Sequence, residues 1–127
     1  MKKTLLAEFK KALNSLSIES AYRVYTGDIY PYLTYEYYKT GVTHEDGGTT
    51  GNLLCEIWAR RTDDNPNVLE ALEDIDEQLQ DYFKQRNIKV GNNVYHFDYV
   101  SSTPEETGDA NLEKLQVNIM TKYWKGA

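Results

Sequence analysis

The sequence predicts an α+β domain: a four-stranded, mainly antiparallel sheet with helices packed on one face, in the order α-β-β-α-β-β. Three observations predict it. Two segments carry apolar residues at helical spacing. Four segments alternate apolar and polar residues, the pattern of a strand with one wet face. Polar, glycine-containing connections divide the strands into two pairs that flank the second helix. At 127 residues the chain fits a single domain, residues 1–127, able to bury a core without a staple.

The first helix is read from Leu5, Leu6, Phe9, Ala12, Leu13 and Leu16, with lysines mostly opposite. Its basic opening resembles a signal peptide, but Glu8, Lys10 and Lys11 interrupt any apolar core, so it reads as a helix of the mature protein. The following AYRVYTGDIYPY contains a turn at Thr26-Gly27-Asp28, and Pro31 restricts it to a covering loop or an edge. A strand runs from Tyr32 to Thr40, with Leu33, Tyr35 and Tyr37 on one face. A nine-residue polar connection, THEDGGTTG at 43–51, leads to a second strand from Asn52 to Arg61. There Leu53, Cys55, Ile57 and Ala59 make the apolar side.

Asp64 or Asn65 is placed to cap the second helix, and Pro66 suits its first position. Val68, Leu69, Leu72, Ile75, Leu79, Tyr82 and Phe83 form its stripe, and Lys84 and Arg86 fall near its C-terminus. Gly91-Asn92-Asn93 reads as a turn before a third strand, Val94 to Val100. A second long polar connection, Ser101 to Asn111, precedes a fourth strand carrying Leu115, Val117, Ile119, Thr121 and Tyr123 on one face.

Composition narrows function. The net charge of −6 argues against a nucleic-acid binder and disfavours acidic membrane surfaces. No apolar run reaches the length of a membrane span. The single Cys55 permits no internal disulfide, and no Cys/His spacing predicts a metal site; no cofactor is expected. Cys55 alternates with Leu53 and Ile57 and reads as core filler. His44, Glu45 and Asp46 offer a base with an orienting acid, or oxygen ligands for a cation, yet a solvated loop explains them more simply. His96 and Asp98 share a strand face, usually just the polar side of a half-buried sheet. GGTTG lacks the lysine ending and following helix of a phosphate loop. The second helix and its entry carry Asp63, Asp64, Glu70, Glu73, Asp74, Asp76, Glu77 and Asp81, either a solvated face or a surface for a basic partner. Seven tyrosines between Tyr22 and Tyr38 exceed what strand propensity needs, and tyrosine is enriched at protein interfaces.

The stretch VYTGDIYPYLTYEYY, the polar hairpin loop, LLCEIWARR and a helix after DDNP resemble the tail terminator and tail-to-head joining proteins of long-tailed bacteriophages, also described as minor capsid or tail completion proteins. Pro31-Tyr32-Leu33-Thr34-Tyr35 matches the family's extended strand, and Leu54-Cys55-Glu56-Ile57-Trp58-Ala59 its tryptophan-bearing strand. The resemblance covers Tyr22 to Phe83, and the remainder follows by element order and length. It implies a non-enzymatic α+β subunit that forms a ring, commonly a hexamer, on the tail tube. The ring would stop tube growth and present a face to the head–tail connector. Its partners would be copies of itself, the tail tube protein and connector proteins, with assembly in the bacterial host cytoplasm and residence in the virion tail or neck. The loops at 43–51 and 101–111 would project from it.

The expected interface residues are therefore His44, Glu45, Asp46, Thr49, Thr50, Tyr35, Tyr37, Tyr38, Arg60, Arg61, Glu73, Asp76 and Glu77. Arg60, Arg61, Lys114 and Lys122 are the candidate cations that meet the acidic helix across a repeated contact. Two other readings compete: an acidic immunity protein that blocks a basic nuclease toxin, and a small enzyme using His44 or His96.

Overall fold

The computed structural model describes residues 2–43, 47–64 and 66–124. The elements are α1 (Lys2–Ser15), β1 (Ser20–Tyr22), β2 (Tyr32–Thr43), β3 (Gly48–Arg60), α2 (Val68–Tyr82), β4 (Arg86–Val90), β5 (Asn93–Glu105) and β6 (Leu112–Trp124). They build one curled sheet of six strands in the order β1-β2-β3-β6-β5-β4. Strand β1 runs parallel to β2, and every other neighbouring pair is antiparallel.

This corrects the four-stranded, mainly antiparallel expectation and its order α-β-β-α-β-β. The sheet has two more strands and is mixed. Strand β1 is three residues long, too short to show a period. It exists because Leu33 N–H donates to Glu19 O and Arg23 N–H to Tyr35 O, a ladder that only the tertiary fold supplies. Of strand β4 the sequence reading covers only Arg86, placed near the end of the second helix. Gln85, at φ 47°, breaks out of the helix, and Gly91, at φ 62°, supplies the left-handed residue of a two-residue hairpin into β5.

The long connections also shrink. Thr43 belongs to β2, and Gly48–Gly51 belong to β3, paired to Trp124, Tyr123, Lys122 and Thr121. Ser101–Glu105 continue β5 past a bulge at Tyr99/Ser101. Helix α2 starts at Val68 rather than at Pro66, with Asn67 as its N-cap residue; Asn65 lies outside the described residues. Asn67 makes no side-chain cap, its amide donating instead to Glu70 Oε2 at 2.7 Å. Lys84 and Arg86 fall beyond the last helical residue, Tyr82. Even so, Arg86 Nε donates to the Tyr82 carbonyl at 2.7 Å and its guanidinium lies 4.0 Å from the Tyr82 ring centroid.

Both helices cover the same sheet face. Leu5, Phe9, Ala12 and Leu13 of α1 and Val68, Leu72, Ile75 and Leu79 of α2 share one core with Leu33, Tyr35, Tyr37, Leu53, Cys55, Ile57, Tyr95, Phe97, Val117 and Ile119. Phe9 is fully buried at its centre, with ring centroids 5.1 Å from Tyr35, 5.2 Å from Phe83 and 6.1 Å from Phe97.

Gly51 explains part of the polar stretch before β3. The Tyr37 ring lies across it, and a Cβ there would stand 2.7 Å from Tyr37 Cε1. Only a glycine lets the ring fold over the strand this closely. Gly51→Ala should therefore cost about 1–3 kcal/mol in urea unfolding. Combined with Tyr37→Leu, the loss should be smaller than the sum of the two single changes; a neutral Gly51→Ala would contradict the close approach.

Candidate protein interface

The sheet face away from the helices carries a row of side chains set by register. Tyr32, Trp58, Lys114 and Glu105 stand side by side on β2, β3, β6 and β5. Their rings stack on one another: Tyr25 on Tyr32 at 4.2 Å, and Tyr32 on Trp58 at 6.2 Å, both pairs at 19° between planes. Lys114 Nζ then lies 4.8 Å from the Trp58 centroid and 3.1 Å from both Glu56 Oε2 and Glu105 Oε2. At the other end the Arg60 guanidinium sits 5.4 Å from the Tyr30 centroid and 3.6 Å from Asp109 Oδ2.

The electrostatics follow the contacts. Partial burial pulls the Lys114 ammonium down, and the Glu56 and Glu105 carboxylates outweigh it, leaving its pKa raised. The Tyr38 hydroxyl, which donates to Glu36 Oε2, and then Arg23, 3.2 Å from Glu36 Oε1, hold the Glu36 carboxyl below its ordinary value. Burial raises the Tyr32 phenol. Trp58 lies between Tyr32 and the Lys114 ammonium, so its ring is not an open, flat platform for a sugar or base.

The expected interface residues separate into groups. His44, Glu45 and Asp46 lie outside the described residues. Tyr35 and Tyr37 are 5% and 8% exposed and point under the helices, and Thr49 is 9% exposed, so the side chains of all three are buried within this chain. The sequence could not separate core from interface tyrosines because both faces of β2 carry them. Tyr38 is half exposed on the open face, and Thr50 accepts a hydrogen bond from Thr40 Oγ1 at 3.0 Å. Arg60 joins the aromatic row. Arg61 ties the end of β3 to the β5–β6 connection through its N–H to Asn111 O at 2.6 Å, and to β6 through its guanidinium, 3.8 Å from Glu113 Oε1. Glu73 and Glu77 are exposed on α2. Asp76 instead accepts hydrogen bonds from Tyr99 at 2.6 Å and Ser102 at 3.0 Å, and so fastens α2 to β5.

The two candidate catalytic groups that can be placed are otherwise engaged. His96 Nδ1 lies 2.7 Å from Asn87 Oδ1, while Asp98 accepts the Gln85 N–H at 3.1 Å, so they do not form a pair. Cys55 is fully buried, and burial pushes its thiol pKa up. Among the described residues no group of His, Cys, Asp and Glu is placed to hold a metal ion, and no helix is long and apolar enough to cross a membrane.

The margins of the sheet are the remaining feature, and sequence reasoning missed them because it missed β1 and β4. Large exposed apolar side chains gather there: Tyr22, Val24 and Tyr38 on the β1–β2 side, Val90 and Val100 on the β4–β5 side. The β2–β3 and β5–β6 connections leave from opposite ends of the sheet, since Gly48 pairs with Trp124 and Arg60 with Leu112. No family model matches the chain, and no curated protein matches it.

Burial, and next the hydrogen bond to Asp76, raise the Tyr99 phenol to about 12 from an ordinary 10.0. The sign is that of an acid kept neutral by folding: the unfolded chain ionises first, so stability is lost as pH rises between about 10 and about 12. Tyr99→Phe should flatten part of that decline in urea titrations across the same pH range; an unchanged slope would contradict the assignment.

Proposed function

We propose that this chain is a ring-forming subunit of a bacteriophage tail, capping the tail tube and joining it to the head connector, in the virion tail or neck. The observation that carries the reading is the sheet, whose two margins are left with apolar side chains exposed and a row of stacked rings between them. That is the form of a building block rather than of an enclosed site. The segments that resemble the tail terminator and joining proteins also lie together. Leu33 pairs with Ile57 and Tyr35 with Cys55, so Pro31–Tyr35 and Leu54–Ala59 form one hairpin that leads into α2. The partners are copies of itself, the tube protein and connector proteins.

One observation favours a second reading, an immunity protein for a basic toxin. Glu70, Glu73, Asp74, Glu77 and Asp81 are exposed along α2, and among the described residues no salt bridge engages them. Such a face would steer a basic partner.

The test uses tubes polymerised from a tail-tube protein, taken from a gene beside this chain's own where one is present. Added during polymerisation, the protein should appear by electron microscopy as a ring on one tube end and should shorten the tubes. Tubes of unchanged length with bare ends would contradict the reading, and co-purification with a basic nuclease in its place would favour the immunity protein.

A further inference from the structure

Four stretches of strand lie along the margins of the sheet, and they are not equally protected. The outer side of β1 is closed: Lys10 Nζ donates to Ser20 O at 2.6 Å, and Val24 N–H folds back on Tyr22 O at 2.8 Å. The lower outer side of β5 carries Pro104, which has no N–H to donate, and Tyr99 N–H is taken by Phe83 O at 2.9 Å. The other two stretches are open. Strand β1 accompanies β2 only along Leu33–Tyr35. Leu33 N–H and Tyr35 O point outward to β1, so by alternation the amides and carbonyls of Tyr37 and Lys39 also point outward, with no strand of the described residues beside them. In β4, Val90 and Asn93 close the two-residue hairpin, so alternation turns Asn87 and Lys89 outward on the far margin.

These two open stretches lie in the same half of the sheet. Lys39 pairs with Gly51, Gly51 with Thr121, Thr121 with Phe97, and Phe97 with Arg86, a single cross-strand row. One margin is therefore recessed beside upper β2 and stepped out at β1; the other is stepped out at β4 and recessed beside lower β5. The chain after β1 does not fill the first recess. Arg23, at φ 68°, turns it back so that Tyr25 stacks on Tyr32.

We propose that copies of this chain join head to tail by strand addition: β4 of one subunit enters the recess beside Glu36–Thr43 of the next, parallel to β2, and the sheet continues across the contact. Each subunit uses both margins once, so the contact is heterologous, the type that generates a ring where the rotation between neighbours closes. Lys39 and Arg86 carry like charges in the same row, which disfavours zero offset. A slide of two residues sets Arg86 beside Tyr37 and Lys89 beside Thr40, and keeps the helices of both subunits on one side. The inference rests on the ring reading above and specifies its contact.

The test is analytical ultracentrifugation of the full chain with Lys39→Pro, which closes the β2 recess, and Lys89→Pro, which closes β4. Neither proline removes a ladder bond within the subunit, and circular dichroism checks that each variant folds. The parent protein should assemble with rising concentration into a closed multiple of the subunit. Each variant alone should stay monomeric, and the two mixed should form a 1:1 pair, because each keeps the margin the other has lost. A parent protein that stays monomeric to its solubility limit would overturn the proposal, as would a dimer of Lys89→Pro alone, or assembly by either variant like the parent. Should a proline variant not fold, Thr40→Cys with Lys89→Cys in one chain decides: oxidation should give disulfide-linked multimers, and its failure to do so would overturn the contact. Rings that depend on these margins but leave tube ends bare would keep the contact and remove the phage assignment; tube capping by the proline variants would do the reverse.

Discussion

The contact on which the rest of the structure depends is the Phe9 ring set among Tyr35, Phe83 and Phe97. It joins α1 to β2, to the end of α2 and to β5 in one buried cluster. Aromatic pairs at these separations add to the burial of four large rings and fix the helices over one face of the sheet. Once both helices are committed to that face, the other is left without a helix and carries the Tyr25 and Tyr30 rings of the β1–β2 connection on its Tyr32 end. The open face must hold itself together by cross-strand contacts.

It does so with the row from Tyr25 to Glu105. Stacked rings cover one another's faces, and Lys114 closes the row against Trp58 and two carboxylates. These ion pairs are half-buried, with the Lys114 side chain 15% exposed, and they hold its ammonium against the Trp58 ring. The margins are treated differently. A lysine, a tight turn and a proline close two of the four stretches, as in sheets that avoid indiscriminate pairing. Leaving upper β2 and β4 open restricts strand addition to one place and one direction, which is what a ring of identical contacts requires.

Much of this was legible in the sequence, and the exceptions have physical causes. The stripes of α1 and α2 and the alternation of β2, β3, β5 and β6 are strong because each buries a continuous apolar face. Strand β1, with only Ser20, Ala21 and Tyr22, and β4, with a single half-buried apolar residue in Ile88, bury too little to leave a pattern. Gly48–Gly51 read as a loop because glycine and threonine are common in turns, whereas Gly51 is needed for the approach of Tyr37. Asp76 read as one carboxylate among eight on a solvated face, yet its partners Tyr99 and Ser102 are distant in sequence. Tyr35 and Tyr37 read as interface residues because the chain's own covering helices could not be positioned over them in advance.

The central claim is that this sheet is unfinished at two places and is completed by another copy. Amide hydrogen exchange, read residue by residue at low and high protein concentration, tests it most directly. The account predicts that the Tyr37, Lys39, Asn87 and Lys89 amides exchange rapidly in the dilute protein and become protected together as the assembly forms. Amides at these four positions that are already protected in the isolated subunit, or that stay fast in the assembled state, would contradict it.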